Sequence, residues 1–384
     1  MKVGLVVRHF NPARGGAERW THELARRALA AGHEVHVVAQ SFGPAEHALP
    51  IVPQPVPRMH SPYAFALAID ETLGNLDLDL VHDMGFGWRF DILQPHFGAP
   101  RAQFDRKLQS MPPWKRTVRR ALTAVSPRWQ QQERVTWRQY ADHRRLVIAL
   151  SKLVARDLER THGWPMERSR LIYNGVDLDR YSPDNRQQHR AAVRQRLRVT
   201  NDELLVLFVA HNFALKGLPT LLQAVGQLRK SGCAVRLLAV GGGQADKYKK
   251  LAVQVGASPG VDFLGSVADT APLYAAADVF ALPTWYDSCS LVLLEALATG
   301  LPVITTSHNG ASEIMSDGRA GFVVENPGDS ATLSRHLRAL IDPATRFRMG
   351  VAARKLAEQY PLEGNYQQVL NLWEQVAGCL RLAA

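Results

Sequence analysis

The chain has 384 residues, of which 46% are hydrophobic and 21% charged, a composition typical of a globular protein with about two domains. No apolar run reaches the roughly 18 residues that a membrane-spanning helix needs, and residues 1–7 read as a strand rather than a signal peptide. Three widely spaced cysteines disfavour a disulfide framework or a CxxC metal site, so the cytoplasm is expected; the net charge of +11 predicts an anionic partner.

The first half of the chain alternates strand and helix patterns. A buried strand is predicted at 2–7, followed by a glycine-containing loop at 11–16, a helix at about 17–31 and a strand at 34–39. Later strands are predicted at 80–82 and 146–150, with Ser151 capping a helix that runs to about 162. This order indicates a Rossmann-like sheet with right-handed crossovers.

The segment 101–145 carries 12 of the Lys and Arg residues and only three Asp and Glu residues. Trp114, Trp129 and Trp137 lie among these basic residues, which is typical of a helix at an anionic lipid surface. The residues predicted to contact a membrane are Trp114, Lys115, Arg116, Arg119 and Arg120. Nucleic-acid binding and a solvated helical subdomain are the alternatives.

The strand–helix alternation restarts after a junction rich in turn formers at 174–183. The predicted strands are 204–210, 235–240, 262–264, 279–282 and 302–305, and the predicted helices are 217–231, 273–277 and 291–299. A second parallel sheet is therefore expected, and a last helix near 363–382 is expected to pack on the first domain. Ligands of such sheets bind beyond the carboxyl ends of strands.

Two carboxylates, Asp287 and Glu295, lie eight residues apart in PTWYDSCSLVLLEALATGLPVI. Asp287 is predicted in a strand-to-helix loop, and Glu295 about two turns into the helix. The amides near 288–291 could meet a phosphate at the helix start, while the carboxylates accept hydrogen bonds from hydroxyl groups. A capped helix with one solvated glutamate is the alternative interpretation.

This stretch resembles glycosyltransferase family 4, whose signature is a Glu, seven residues, a second Glu, an Ala and a GxPVI strand. Asp287 replaces the first Glu, and Glu295 is followed by Ala296 and GLPVI. The resemblance implies an α/β GT-B fold, in which two Rossmann-like doubly wound domains face each other across a cleft. It implies an acceptor-side domain at 1–173 with the basic insert 101–145, a linker at 174–183, a nucleotide-sugar-binding domain at 184–362 and a C-terminal helix at 363–384.

The resemblance also implies roles for single residues. Asp287 would bind the donor hexose, Glu295 the nucleotide ribose, and the backbone of Cys289, Ser290 and Leu291 the diphosphate. Further donor contacts are implied for the GGxER loop, the Lys-Gly motif and the nucleotide-side loop: Gly15, Gly16, Lys216, Gly265, Ser266 and Val267. Glycines at 15 and 16 would permit unrestricted φ and close backbone approach. The triplet 241–243 matches a second nucleotide-side loop.

Two further positions bear on catalysis. His96, in the PHFG sequence after Asp91, resembles the acceptor-side histidine loop and would orient the transferred sugar; with Asp287 and Lys216 it completes the predicted catalytic set. Leu215 stands where the family has an arginine before Lys216. His211, Arg8 or Arg14 could supply the missing charge, and the sequence does not choose among them.

The activity implied is retaining transfer of a hexose from a nucleotide sugar, with UDP-glucose favoured, to a glycan or glycolipid such as lipopolysaccharide core. No cofactor is expected, since the nucleotide sugar is a substrate, and no metal site is expected, since GT-B enzymes generally do not need one. The resemblance to lipopolysaccharide-core glucosyltransferases favours a peripheral position on the inner membrane face over nucleic-acid binding.

Three other functions remain open. A nucleotide-dependent oxidoreductase would fit two Rossmann-like halves, although HFNPARGGAE replaces GxGxxG after the first strand. A non-catalytic relative that binds sugar nucleotides or a membrane would fit the altered Asp287 and the missing arginine. A sugar-nucleotide epimerase would convert the donor without an acceptor.

Overall fold

The computed structural model describes residues 1–44, 48–242 and 245–383. The chain forms two compact units. Unit 1 consists of Met1–Tyr173 and Gly364–Ala384, and unit 2 of Asn174–Glu363. The segment predicted as a linker, 174–183, lies inside unit 2.

Unit 1 is built on a seven-stranded parallel sheet. The strands of this unit are β1 (Lys2–Val6), β2 (His9–Phe10), β3 (Glu34–Ala39), β4 (Ser41–Phe42), β5 (Val52–Pro55), β6 (Leu80–Asp83), β7 (Ile92–Leu93), β8 (Leu146–Ala149) and β9 (Ser169–Leu171). Of these, β2 and β4 form a separate two-stranded pair. The order in the sheet is β5-β3-β1-β6-β7-β8-β9. Its helices are α1 (Gly16–Ala30), α2 (Pro62–Gly74), α3 (Pro100–Gln109), α4 (Pro113–Ala124), α5 (Pro127–Tyr140) and α6 (Lys152–His162).

Local sequence accounts for these elements. The apolar, β-branched run of β1 is buried from Val3 to Val6, as a central strand of a parallel sheet requires. Ser151 caps α6 by accepting a hydrogen bond from the Val154 amide at 3.2 Å, and Gly163 ends that helix in the left-handed conformation at φ 65°. One core cluster joins β1, β3 and α2 through Val6, Val38, Val56, Phe65, Ile69 and Leu73.

Unit 2 contains a six-stranded parallel sheet. Its strands are β10 (Leu204–Val209), β11 (Val235–Val240), β12 (Val261–Gly265), β13 (Val279–Leu282), β14 (Val303–Thr306) and β15 (Gly321–Val324), in the order β12-β11-β10-β13-β14-β15. The helices are α7 (Asn185–Arg196), α8 (Leu218–Lys230), α9 (Ala245–Val255), α10 (Ala271–Ala276), α11 (Leu291–Ala298), α12 (Ser330–Ala339) and α13 (Pro343–Ala357). The adjacent strands β10 and β13 bring the loops that follow them side by side.

The last helix, α14 (Leu362–Ala383), belongs to unit 1 from Gly364 onward. The Trp373 indole N–H donates to His82 Nδ1 at 3.0 Å beneath the sheet of unit 1, and both side chains are buried. Near its start, Asn365 accepts from Trp20 Nε1 at 2.8 Å and donates to the Tyr173 carbonyl at 2.6 Å. Buried polar bonds therefore fix the register of α14 on unit 1.

Candidate active site

The site in unit 2 begins at the loops after β10 and β13. Gly217, at φ 82°, ends the first loop, and a Cβ atom there would lie 1.9 Å from the Pro283 carbonyl oxygen. Only glycine allows this close approach. The Trp285 amide donates to the Leu215 carbonyl at 2.8 Å, so backbone bonds hold the two loops together. Lys216 is thereby placed against the loop that carries Asp287.

Lys216 and Asp287 form an ion pair. Lys216 Nζ lies 2.5 Å from Asp287 Oδ2 and 3.1 Å from the Tyr286 carbonyl oxygen, and the two side chains are 22% and 14% exposed. An ammonium group has three N–H donors, so these bonds leave one for a ligand. From the sequence, each of the two residues was expected to contact the donor separately, and their pairing was not predicted.

The backbone around Asp287 is held on both sides. Its amide donates to the His308 carbonyl at 3.0 Å, and its carbonyl accepts from the Gly310 amide at 2.8 Å. Asn174 Nδ2 donates to the Cys289 carbonyl at 2.7 Å, which anchors the turn before α11. The segment 174–183 had been predicted only as a linker rich in turn formers, so this contact of its first residue was missed.

Helix α11 starts directly after this turn. Ser290 is its N-cap residue, and its side chain makes no capping hydrogen bond to the helix amides. The first amides of a helix lack partners within the helix and carry partial positive charge, so they can receive an anion. The Cys289 side chain is buried, and burial raises the pKa of its thiol to about 12, so the thiol stays protonated at neutral pH.

Glu295 lies on α11 one turn from its start, because the helix begins at Leu291; the predicted two turns are wrong. Its Oε2 atom lies 2.8 Å from the Tyr274 hydroxyl, whose pKa is raised well above its usual value by burial and by the charge of Glu295. The neutral phenol therefore donates to the carboxylate and orients it. The sequence contains no signal for Tyr274, which is 21 residues away.

The nucleotide-side loops meet at the same edge of the sheet. Gly241, at φ 133°, donates its amide to the Gly265 carbonyl at 2.7 Å, and a Cβ atom there would lie 1.8 Å from the Ala210 carbonyl oxygen. Of the predicted base-side residues, Gly265 ends β12 at φ 69°, and Ser266 and Val267 follow that strand directly. Gly243, part of the predicted triplet, lies outside the described residues.

The predicted site residues of the N-terminal domain, which include the donor contacts Gly15 and Gly16, lie in unit 1. Gly15 and Gly16 open α1, but the expected need for unrestricted φ is wrong at Gly15, since its φ of 179° is open to any residue. His96 follows β7, and its ring centroid lies 4.8 Å from that of Trp20 on α1. Burial lowers the pKa of His96 to about 4, so the ring is neutral at pH 7.

A cavity of about 360 Å³ lies beside His96 and was not predicted. The loop after β7 forms one wall through Phe97 and Gly98, and helices α3 and α5 of the basic insert form another through Lys107 and Trp129. Arg8 also lines it and packs on Phe65 and Phe86 at 4.9 and 5.4 Å. Of the three candidates for the missing positive charge, Arg8 and Arg14 belong to unit 1, whereas His211 is exposed in unit 2.

Helix α4 of the basic insert has no buried residue. Trp114, Val118 and Leu122, at a spacing of four, form an exposed apolar stripe in which Trp114 is 67% and Leu122 59% exposed. The four basic residues predicted to contact a membrane lie outside this stripe: Lys115, Arg116, Arg119 and Arg120. Within the described ranges, no helix is long and apolar enough to span a bilayer, and no group of three or more His, Cys, Asp or Glu could hold a metal ion.

Comparisons with known proteins place this geometry in a family. Residues 14–180 match the family model described as Glycosyltransferase Family 4, and residues 203–343 match that described as Glycosyl transferases group 1. The chain therefore carries a Glycosyltransferase Family 4 domain and a Glycosyl transferases group 1 domain. The matched segments lie in unit 1 and in unit 2, and they include Gly15, His96, Lys216, Asp287 and Glu295.

Two curated relatives are similar in sequence to this chain. It is 27% identical over 355 residues to the lipopolysaccharide glucosyltransferase WaaG of Escherichia coli K12, covering 91% of this chain and 92% of that one. It is 34% identical over 232 residues to the D-inositol 3-phosphate glycosyltransferase of Streptomyces avermitilis. That match covers 56% of this chain and 49% of the relative, so the chain spans about half of the relative's length.

Solved structures establish the fold of this chain. The crystal structure of WaaG matches with a TM-score of 0.79 at 22% identity, covering 96% of this chain and 99% of that one. Anabaena HepE in complex with UDP and glucose matches with a TM-score of 0.72 at 22% identity, covering 98% and 100%. Two parallel-sheet α/β domains with these neighbours constitute the GT-B fold, as the sequence predicted.

Proposed function

We propose that this glycosyltransferase transfers a hexose, with retention of configuration, from a nucleotide diphosphate sugar to a glycan or glycolipid acceptor. The observation that carries the proposal is the grouping of Lys216, Asp287, the start of α11 and Glu295 at the carboxyl edge of one sheet. This set offers a cation and helix amides for a diphosphate, and carboxylates for the hydroxyls on either side of it.

Each residue has a defined part in the proposed reaction. As the bond between the anomeric carbon and the diphosphate oxygen breaks, negative charge grows on the leaving group, and the remaining N–H of Lys216 and the α11 amides stabilise it. The acceptor hydroxyl attacks the face from which the diphosphate leaves, and its proton passes to the departing phosphate oxygen. Asp287 orients the hexose hydroxyls and Glu295 holds the ribose. The donor contacts of Gly15 and Gly16 stay predictions.

UDP-glucose is the favoured donor, and lipopolysaccharide core the favoured acceptor. Support for the donor comes from Anabaena HepE, described in complexes with UDP-glucose and with UDP and glucose. Support for the acceptor comes from WaaG, named a lipopolysaccharide glucosyltransferase, over nine tenths of both chains. The cavity beside His96, with Arg8 and Lys107 in its lining, provides an acceptor pocket that favours anionic groups.

Activity is tested with UDP-glucose and isolated lipopolysaccharide core, and the anomeric configuration of the product is read by NMR. An α-linked product formed from the α-linked donor, at the same rate with EDTA, is expected because Lys216 and the helix amides balance the leaving-group charge. A β-linked product contradicts retention, and a chelator-sensitive rate restored by Mg²⁺ contradicts metal independence. Donor conversion without acceptor would identify the epimerase, and binding without turnover the non-catalytic relative.

We also propose that α4 seats the protein on an anionic membrane surface. Its exposed apolar stripe can enter the headgroup boundary while the flanking basic residues meet anionic lipids. Co-sedimentation with vesicles containing phosphatidylglycerol should be strong and should fall sharply with neutral vesicles or with Leu122→Asp. Val253→Asp, at an exposed apolar position on α9, is the matched control and should leave binding intact. Equal absence of binding to both kinds of vesicle would refute the membrane role.

A further inference from the structure

A second cavity in unit 2, of about 620 Å³, lies at the opposite end of the sheet from Asp287. Asp278 precedes β13 at this cavity, whereas Asp287 follows β13 at the candidate active site. Five cationic and two anionic side chains line the cavity: Arg186, Arg190, Arg346, Arg354, Lys355, Asp278 and Glu358. Its charge is therefore unbalanced, and it is separate from the donor site.

Backbone carbonyls hold three of these arginines in place. Arg190 donates to the carbonyls of Ala276 and Ala277 at 2.8 and 3.0 Å and to Asp278 Oδ1 at 2.6 Å. Arg346 donates to the carbonyls of Leu340 and Ile341, both at 2.7 Å. Arg354 donates to three carbonyls, which include Ala298 at the end of α11. The guanidinium positions are thus fixed before any ligand arrives.

These contacts account for only part of the positive charge. The carbonyls belong to the ends of α10, α11 and α12, and a helix C-terminus carries roughly half a negative charge. Asp278 is already bonded by Arg190 and by Arg194, whose Nη1 lies 3.0 Å from Oδ2. The helix ends and two carboxylates therefore balance about three and a half of the six positive charges, with Arg194 included.

Arg186 is the cation that these structural contacts do not explain. Its guanidinium makes no hydrogen bond or ion pair with any other residue that the structure describes, and its side chain is only partly exposed. Burial and the charge of Arg190 lower its pKa to about 10. A partly buried arginine beside other cations destabilises the folded protein. An anion that binds next to it would offset this destabilisation.

We infer that this cavity binds a small phosphate-bearing molecule with at least two negative charges. Fixed guanidinium groups match phosphate oxygens in paired N–H donation, and the volume exceeds what a single inorganic phosphate fills. Phe347, 76% exposed at the cavity, offers an apolar surface to the organic part of such a ligand. The proposed reaction does not require this site.

Inorganic pyrophosphate is the probe, and it is added to Lys216→Ala protein so that the donor site does not compete. Pyrophosphate should raise the melting temperature at constant ionic strength, since it binds the folded state. Adding Arg186→Gln should leave the ligand-free melting temperature equal or higher and should weaken binding at least tenfold by calorimetry. Arg168→Gln, which removes an exposed arginine of unit 1, should change neither value.

Lys355→Gln, at an exposed position on the cavity rim, is the second variant in case Arg186→Gln does not fold. It should reduce the pyrophosphate affinity several-fold without changing the ligand-free melting temperature. Unchanged pyrophosphate binding in the variants that fold would overturn the inference. An equal rise in melting temperature with sodium chloride at matched ionic strength would overturn it as well.

Discussion

At the scale of single residues, the pairing of Lys216 with Asp287 has the largest consequence for catalysis. The carboxylate holds the ammonium, so that its remaining N–H has one direction in which to meet the diphosphate. Lys216→Ala should lower kcat by about 10²–10³-fold with a smaller effect on KM, because the charge is needed most as the leaving group departs. Steady-state kinetics with UDP-glucose measure this.

The matched control for Lys216→Ala is Lys249→Ala. Lys249 also pairs with an aspartate in unit 2, Asp246 at 3.2 Å, but both side chains are largely exposed. Its removal should leave kcat within about twofold of the original value, since exposed pairs contribute little. A Lys216→Ala enzyme with normal kcat would refute the leaving-group role of this lysine.

His82 makes the stability of unit 1 depend on pH. It is fully buried, its Nδ1 accepts the Trp373 N–H, and burial lowers its pKa from 6.5 to about 3. The unfolded chain therefore binds more protons between about pH 6.5 and 3, and stability falls as the pH is lowered through this window. Between pH 7 and 5 the loss from this group is on the order of 2 kcal/mol.

The neighbouring Asp83 has the opposite effect on stability, because burial raises its pKa to about 6. Its protonation therefore stabilises the folded state as the pH falls toward 4. Comparison with the His82→Gln variant separates the contribution of His82 to the pH dependence of stability from that of Asp83. Urea denaturation at pH 7, 6 and 5 should show that the variant loses about 2 kcal/mol less than the original protein. Parallel pH profiles for the two proteins would show that His82 is not the responsible group.

At the scale of secondary-structure elements, the seating of α14 depends on Asn365. This buried side chain satisfies both the Trp20 indole and the Tyr173 carbonyl. Asn365→Ala should reduce the free energy of unfolding by about 2–4 kcal/mol, because two buried polar groups lose their partner. Asn371→Ala, at an exposed position on α14, should cost less than about 0.5 kcal/mol. Equal effects in urea denaturation would contradict the anchoring role.

Strong local patterns made several elements predictable. β3, β11 and β13 have the predicted bounds because each is a short, apolar, β-rich run between turn formers. β5 (VPQP) carries two prolines and reads as a loop, yet it pairs with β3 because it lies at the sheet edge, where a missing amide is tolerated. α2 and α7 also escaped prediction, and nothing was assigned at their positions.

The candidate site was predictable only in part. Its residues follow strands, which sequence order reveals, but their mutual contacts depend on which strands are neighbours. Lys216 and Asp287 are 71 residues apart, and Asn174 and Cys289 are 115 apart. β10 and β13 are adjacent in the sheet although β11 and β12 intervene in the sequence, so no local pattern could anticipate the ion pair.

At the scale of the whole molecule, four surfaces differ in chemistry, two in each unit. Unit 2 has carboxylates, Lys216 and helix amides at the carboxyl edge of its sheet, and an arginine-lined cavity at the opposite edge. Unit 1 has an exposed amphipathic helix and a pocket beside His96. We expect the donor to bind at the carboxyl edge of the unit 2 sheet without contacting the arginine-lined cavity or α4. Variants of those two regions should therefore retain donor binding.

Thermal shift against UDP-, GDP-, ADP- and dTDP-sugars tests most directly whether unit 2 binds a nucleotide sugar through Glu295. We expect a rise in melting temperature with UDP-glucose that is selective for one base, is lost in Glu295→Ala and is kept in Glu325→Ala, an exposed glutamate of the same unit. No shift with any nucleotide, or an undiminished shift in Glu295→Ala, would contradict the donor site described above.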